Sequence, residues 1–128
     1  MKIDYNKILK KNMLNILKDV FLNIEKNGLK DGNHLYINFL TNHSKVKIPK
    51  WLKEKYPNEM TIVIQYEYYN LNVEEDKFSI GLSFNNVNAD LLIDYDSVIS
   101  FADPHANFGL KLKNYEKIKE KPKKNIKK

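Results

Sequence analysis

Between Ile3 and Ile24 apolar residues recur at Ile8, Leu9, Met13, Leu14, Ile16, Leu17, Val20, Phe21 and Ile24. Steps of three and four predict one long amphipathic helix. The Asn27-Gly28 pair predicts its end, because glycine enters the left-handed conformation of a helix cap without steric cost. The apolar stripe is wider than one packing face requires. Leu9, Met13, Ile16 and Val20 form one row, and Leu14, Leu17 and Phe21 form another. One row packing on the body and the other on a second copy accounts for that width; so does a helix sunk into its own domain.

After Gly32 the period changes to two. His34–Thr41, Val46–Ile48, Met60–Tyr69, Lys77–Phe84, Asp90–Ile93 and Ser97–Phe101 read as short strands. Turn chemistry separates them at Asn42-His43-Ser44, Glu74-Glu75-Asp76 and Asn85-Asn86. Short connections imply antiparallel neighbours. One helix followed by five or six strands, with no second long helix, predicts a mainly β fold: a small curled antiparallel sheet or partly open barrel. Pro49 and Pro57 bracket Trp51 and Leu52, a short turn or helical corner expected to plug one end of the sheet. Phe108 to Leu110 reads as a closing segment.

Charge divides the chain in two. From Lys111 to Lys128 there are nine lysines and two glutamates, a net charge of +7, so residues 1–110, with thirteen lysines and fourteen acids, carry −1. A lysine run of low hydrophobicity cannot bury enough apolar surface to offset its ordering entropy. Residues 1–113 are therefore expected to fold, with a helix over 3–27 and a barrel over 34–112, and residues 114–128 to form a disordered tether. The 42% hydrophobic content of 128 residues suffices for one core.

Several function classes are excluded or weakened. Without cysteine there is no disulfide, thiolate metal site, iron–sulfur cluster or thiol nucleophile, which fits a reducing cytoplasm. No apolar run approaches the roughly 20 residues of a membrane span, and Asp4, Asp19 and Glu25 interrupt the N-terminal segment. All 22 basic residues are lysine, so the bidentate fork that reads guanine edges and phosphates is missing. Nucleic acid is not the expected partner. His34, His43 and His105 are far apart, no catalytic motif is present, and Glu74, Glu75 and Asp76 read as solvated turn residues. Neither enzyme activity nor a cofactor or metal is expected.

One strand carries a second message. In Lys77–Phe84 the residues Phe78, Ile80, Leu82 and Phe84 alternate with Ser79, Gly81 and Ser83, so one face is apolar and the other is built from very small side chains. That small face is either the solvent side of an amphipathic strand or the floor of a trench, since a strand glycine often marks close approach of another backbone. Gln65, Tyr66, Glu67 and Tyr68 would supply the wall of a groove suited to an extended peptide.

The ordered series HLYINFLT from His34, Val46-Lys47-Ile48-Pro49, Tyr56 to Gln65, Leu71 to Asp76, Phe78 to Phe84 and Phe101-Ala102-Asp103-Pro104 resembles the alphaproteobacterial branch of the stringent starvation protein B (SspB) family, over nearly all of residues 5–112. The resemblance implies an Sm-like or SH3-like barrel, a homodimer formed through the N-terminal helix, and an adaptor that binds the ssrA degradation tag and delivers tagged proteins to the ClpX unfoldase of the ClpXP protease. It assigns the tag groove to Gln65, Tyr66, Glu67, Tyr68, Ser79, Gly81 and Ser83, and dimerisation to Leu9, Met13, Ile16, Leu17 and Val20. Protease docking falls to the tail around Lys124, Asn125, Ile126 and Lys127. The rival from another class is an RNA-binding barrel that stacks bases on exposed tyrosines, and a third is a plain structural dimer.

Overall fold

The computed structural model describes residues 2–30 and 32–112. Its first element is α1 (Tyr5–Asn27), started by Asp4, whose carboxylate accepts the Lys7 N–H at 3.0 Å, and ended by Gly28, which takes φ 75°. Such a carboxylate cap satisfies one of the backbone donors orphaned in a first turn. Leu17, Phe21 and Ile24 are buried along the helix, and Phe21 stacks on Phe78 with ring centroids 4.1 Å apart.

The strands follow in the order β1 (Leu35–Leu40), a short helix α2 (Lys50–Lys55), β2 (Glu59–Ile64), β3 (Tyr69–Val73), β4 (Lys77–Phe84), β5 (Val87–Asp94), β6 (Val98–Asp103) and β7 (Phe108–Lys111). They form two antiparallel sheets, β2-β1-β6-β7 and β3-β4-β5. The fold is thus mainly antiparallel β with one long N-terminal helix, as predicted. The sheets do not close into a single hydrogen-bonded ring among the described residues; an isolated bridge between Lys47 and Leu92 is the link between Val46–Ile48 and β5. Val46–Ile48, expected as a strand, is reduced to that bridge.

Core side chains alternate along every long strand. Ile37 and Phe39 of β1, Ile62 and Ile64 of β2, Phe78 and Ile80 of β4, and Leu91 and Ile93 of β5 are all fully buried, and Leu52 of α2 joins them. Asn85 and Asn86 both adopt positive φ, 52° and 68°, which a two-residue hairpin needs at both central positions to match strand twist. The turn therefore extends β5 back to Val87, pairing Phe84 with Val87, beyond the strand predicted to start at Asp90.

The largest departure from expectation lies at Met60–Tyr69. A single strand does not run through it. β2 ends at Ile64, residues 65–68 carry the chain from one sheet to the other, and β3 starts at Tyr69. Asn70, at φ 52°, and a register shift between Tyr69 and Asn72 form an irregularity at the head of β3.

Candidate functional site, a groove between two open strand edges

The sheet switch leaves two strand edges open beside each other. β2 is the terminal strand of its sheet, so one side of its backbone faces away from β1. β4 outruns β3: the β3 ladder stops at Tyr69 opposite Gly81, whereas pairing with β5 continues through Leu82, Ser83 and Phe84. Among the described residues, no strand lies on the β3 side of those last three positions. Unpaired strand edges carry rows of N–H and C=O groups able to pair with another chain.

A cavity of about 200 Å³ opens there. Gln65, Tyr66 and Glu67 of the crossover form one wall; Leu82, Ser83 and Phe84 form the other, with Val63 of β2 at the end. Tyr66 is 78% exposed and stands at the rim. Trp51 of α2 packs edge-on against Phe84, with centroids 6.4 Å apart. Glu67 is the one carboxylate among the lining residues, and no lysine lines the groove among the described residues.

This arrangement brings together Gln65, Tyr66, Glu67 and Ser83 of the sequence-predicted groove, and leaves out Tyr68, Ser79 and Gly81. The trench expected over Gly81 is filled. A Cβ placed on Gly81 would overlap Cε2 and Cζ of the Tyr69 ring, so the glycine accommodates a neighbouring aromatic side chain and its strand face is buried. Ser79 lies farther along, opposite Asn72. Sequence reasoning missed Val63, Leu82 and Phe84 as lining residues. Leu82 is a core residue, as the period of Phe78 and Ile80 predicts, and Phe84 packs partly against that core; their place beside the groove follows from the ending of β3.

On α1 the two rows separate by burial. Leu17 is 0% exposed and packs in the protomer's own core, whereas the resemblance implied a place for it in the dimer contact. Met13 and Val20 pack partly against that core, while Ile16 is 41% exposed and Leu9 and Ile8 are exposed as well. Two further cavities flank the helix. One, of about 450 Å³, lies along Ile16, Val20, Leu29 and Leu35. The other, of about 440 Å³, lies between Leu14, Lys18 and the segment Asp94 to Asp96. Polar ties hold the helix in place: Lys18 to Glu75 at 2.6 Å, Lys10 to Asp96 at 2.7 Å, and the Val73 N–H to Glu25 at 3.0 Å.

His43 and Tyr95 are not among the groove's lining residues. His43 accepts the Lys45 N–H at Nδ1 (3.0 Å), which leaves Nε2 to donate to Asp96 at 3.2 Å. The Tyr95 hydroxyl is buried without a hydrogen-bond partner. Burial pushes that phenol above its usual range, and the carboxylates of Glu25, Asp76, Glu75 and Glu74 push in the same direction. Among the described residues no group of three potential metal ligands occurs, and no helix is long and apolar enough to cross a membrane. The tail residues Lys124, Asn125, Ile126 and Lys127, like the whole of 114–128, lie outside the described residues.

Compared with known proteins, residues 8–128 match the sequence profile of the family described as Stringent starvation protein B (SspB). No curated protein matches the chain.

Proposed function

The chain belongs to the SspB family, and from that premise we propose that it is a non-enzymatic adaptor that binds ssrA-type degradation tags as extended peptides and delivers tagged proteins to the ClpXP protease. The observation that carries this reading is the groove between the edge of β2 and the overhanging end of β4. An extended peptide laid there exchanges backbone hydrogen bonds with a strand edge, and its alternate side chains meet the groove walls. Such recognition reads a terminal tag without requiring the tagged protein to have any particular fold.

Delivery needs only that capture and protease docking occur on one assembly. In this reading the lysine-rich C-terminal segment contacts ClpX, and the exposed row of α1, with Leu9 and Ile16 flanked by Met13 and Val20, joins two copies into a homodimer. Exposed apolar side chains in a continuous row are the usual signature of an interaction surface.

The test is a titration of the full chain with a labelled ssrA peptide and, in parallel, a single-stranded RNA across a salt series. Saturable peptide binding that changes little with salt is expected. RNA binding that dominates at low salt and falls steeply as salt rises, with no peptide binding, would replace the adaptor by the RNA-binding alternative.

A further inference from the structure

The groove has a charge sign of its own. Its described lining holds one carboxylate, Glu67, and no lysine. Glu67 is exposed at the wall and forms no ion pair among the described residues. Beside it the other polar functions are neutral: the Gln65 amide, the Tyr66 phenol and the Ser83 hydroxyl. Amide and hydroxyl groups accept and donate without regard to charge, so a single uncompensated carboxylate decides which charges are tolerated opposite it.

We propose that Glu67 makes the groove charge-selective: it accepts a peptide segment with an uncharged or cationic side chain opposite Glu67 and repels one with an acidic side chain there. The proposal rests on the reading of the groove as a peptide site and adds the class of segment that site takes. Apolar contact with the half-buried Val63 and Phe84 supplies affinity that charge does not change, whereas Glu67 supplies discrimination. Because Glu67 is solvent-exposed, its effect is that of a surface ion pair, about two- to fivefold in affinity at low ionic strength and screened by salt.

The experiment uses the full chain and Glu67→Gln, titrated by fluorescence anisotropy with an ssrA peptide and with variants carrying Lys, Gln or Glu at each position in turn. At the position facing Glu67, the Glu peptide is expected to bind about two- to fivefold more weakly than the Gln peptide, and the Lys peptide more tightly. That spread collapses in Glu67→Gln and at high salt. Equal affinities for Lys, Gln and Glu at every position overturn the proposal, as does a spread that survives in Glu67→Gln. Failure of the underlying reading looks different: no peptide of the series binds, or Ser83→Phe leaves the affinity of the parent peptide untouched.

Discussion

Tyr69 and Gly81 face each other across the β3 and β4 ladder, and the tyrosine ring occupies the space where any larger residue at 81 would place its Cβ. The pair is a reciprocal fit. The glycine gives up a side chain, and the aromatic ring covers the backbone that the missing side chain would leave bare, a cross-strand device that compensates the weakness of glycine in a strand.

Gly81→Val is therefore expected to act on stability before it acts on binding. Displacing the Tyr69 ring is an overpacking change, with a cost of about 1–3 kcal/mol. In a Tyr69→Ala background the same substitution should cost much less, because the space has been vacated. Urea denaturation of the four proteins of this double-mutant cycle measures the coupling, and additive costs would show that the ring does not constrain residue 81.

Ser83 is the position at which the groove can be blocked without touching the core. It is exposed on the overhanging end of β4 and lines the same cavity as Glu67. Ser83→Phe is expected to lower ssrA-peptide affinity at least about tenfold, equivalent to about 1.4 kcal/mol, with an unchanged circular dichroism spectrum and midpoint of unfolding.

The difference between residues 81 and 83 marks what periodicity carries and what it does not. Lys77–Phe84 was legible as a strand to the residue, since Phe78, Ile80 and Leu82 all face one core. The Asn85-Asn86 turn was legible because few residues other than asparagine and glycine enter left-handed backbone so readily. Along Met60–Tyr69, by contrast, apolar residues at Met60, Ile62, Ile64, Tyr66 and Tyr68 keep the period of two through the point where the chain changes sheets. Alternation reports which face is apolar and says nothing of which strand lies alongside. β3 escaped notice because Asn70 and Asn72 occupy its exposed positions and an irregularity interrupts its pairing. The groove depends on where that pairing stops, and the partner of Gly81 depends on register, so both are products of long-range contact.

Tyr95 should make the protein sensitive to alkali. Its phenol must remain protonated while buried, so its pKa in the folded state lies above the 10.0 of an unfolded chain. A raised pKa means that the native state binds the proton more tightly: the stabilisation is complete below pH 10 and is lost as pH rises from there toward the folded-state value, at up to about 1.4 kcal/mol per pH unit. Tyr95→Phe removes this loss and also removes a buried hydroxyl without a partner. It is expected to match or exceed the parent's stability at pH 7 and to show a shallower decline above pH 10 in urea melts. Identical alkaline slopes would mean that the phenol ionises as readily in the fold as outside it.

Adjacent helix residues should separate folding from association. Leu17→Glu places a carboxylate in the core beside Phe21 and Ile24 and is expected to abolish cooperative unfolding. Ile16→Glu alters an exposed side chain and should leave the unfolding free energy of the isolated protomer within about 0.5 kcal/mol, while shifting sedimentation from dimer to monomer at micromolar concentration. A parent protein that sediments as a monomer under the same conditions would remove the homodimer from the proposed function.

Capture and delivery should separate at the C-terminus. The described lining of the groove comes from β2, β4 and the crossover between β2 and β3, so deleting residues 114–128 should leave ssrA-peptide affinity within about twofold, the scale of a surface change. The same deletion is expected to eliminate acceleration of tagged-substrate degradation by ClpXP, because a tethered substrate sees the protease at a local concentration of roughly millimolar for a short flexible link. That benefit must be greatest at low substrate concentration and vanish at saturation, which distinguishes tethering from activation of the protease itself. Ile126 gives the finer test, as the apolar residue within the terminal lysine run Lys123 to Lys128. If docking depends on an apolar contact, Ile126→Asp behaves like the deletion at every salt concentration. If docking depends on charge alone, Ile126→Asp retains delivery at low salt, and all variants fail together as ionic strength rises. Undiminished acceleration by the truncated protein would show that delivery runs through the folded domain and not through the lysine-rich segment.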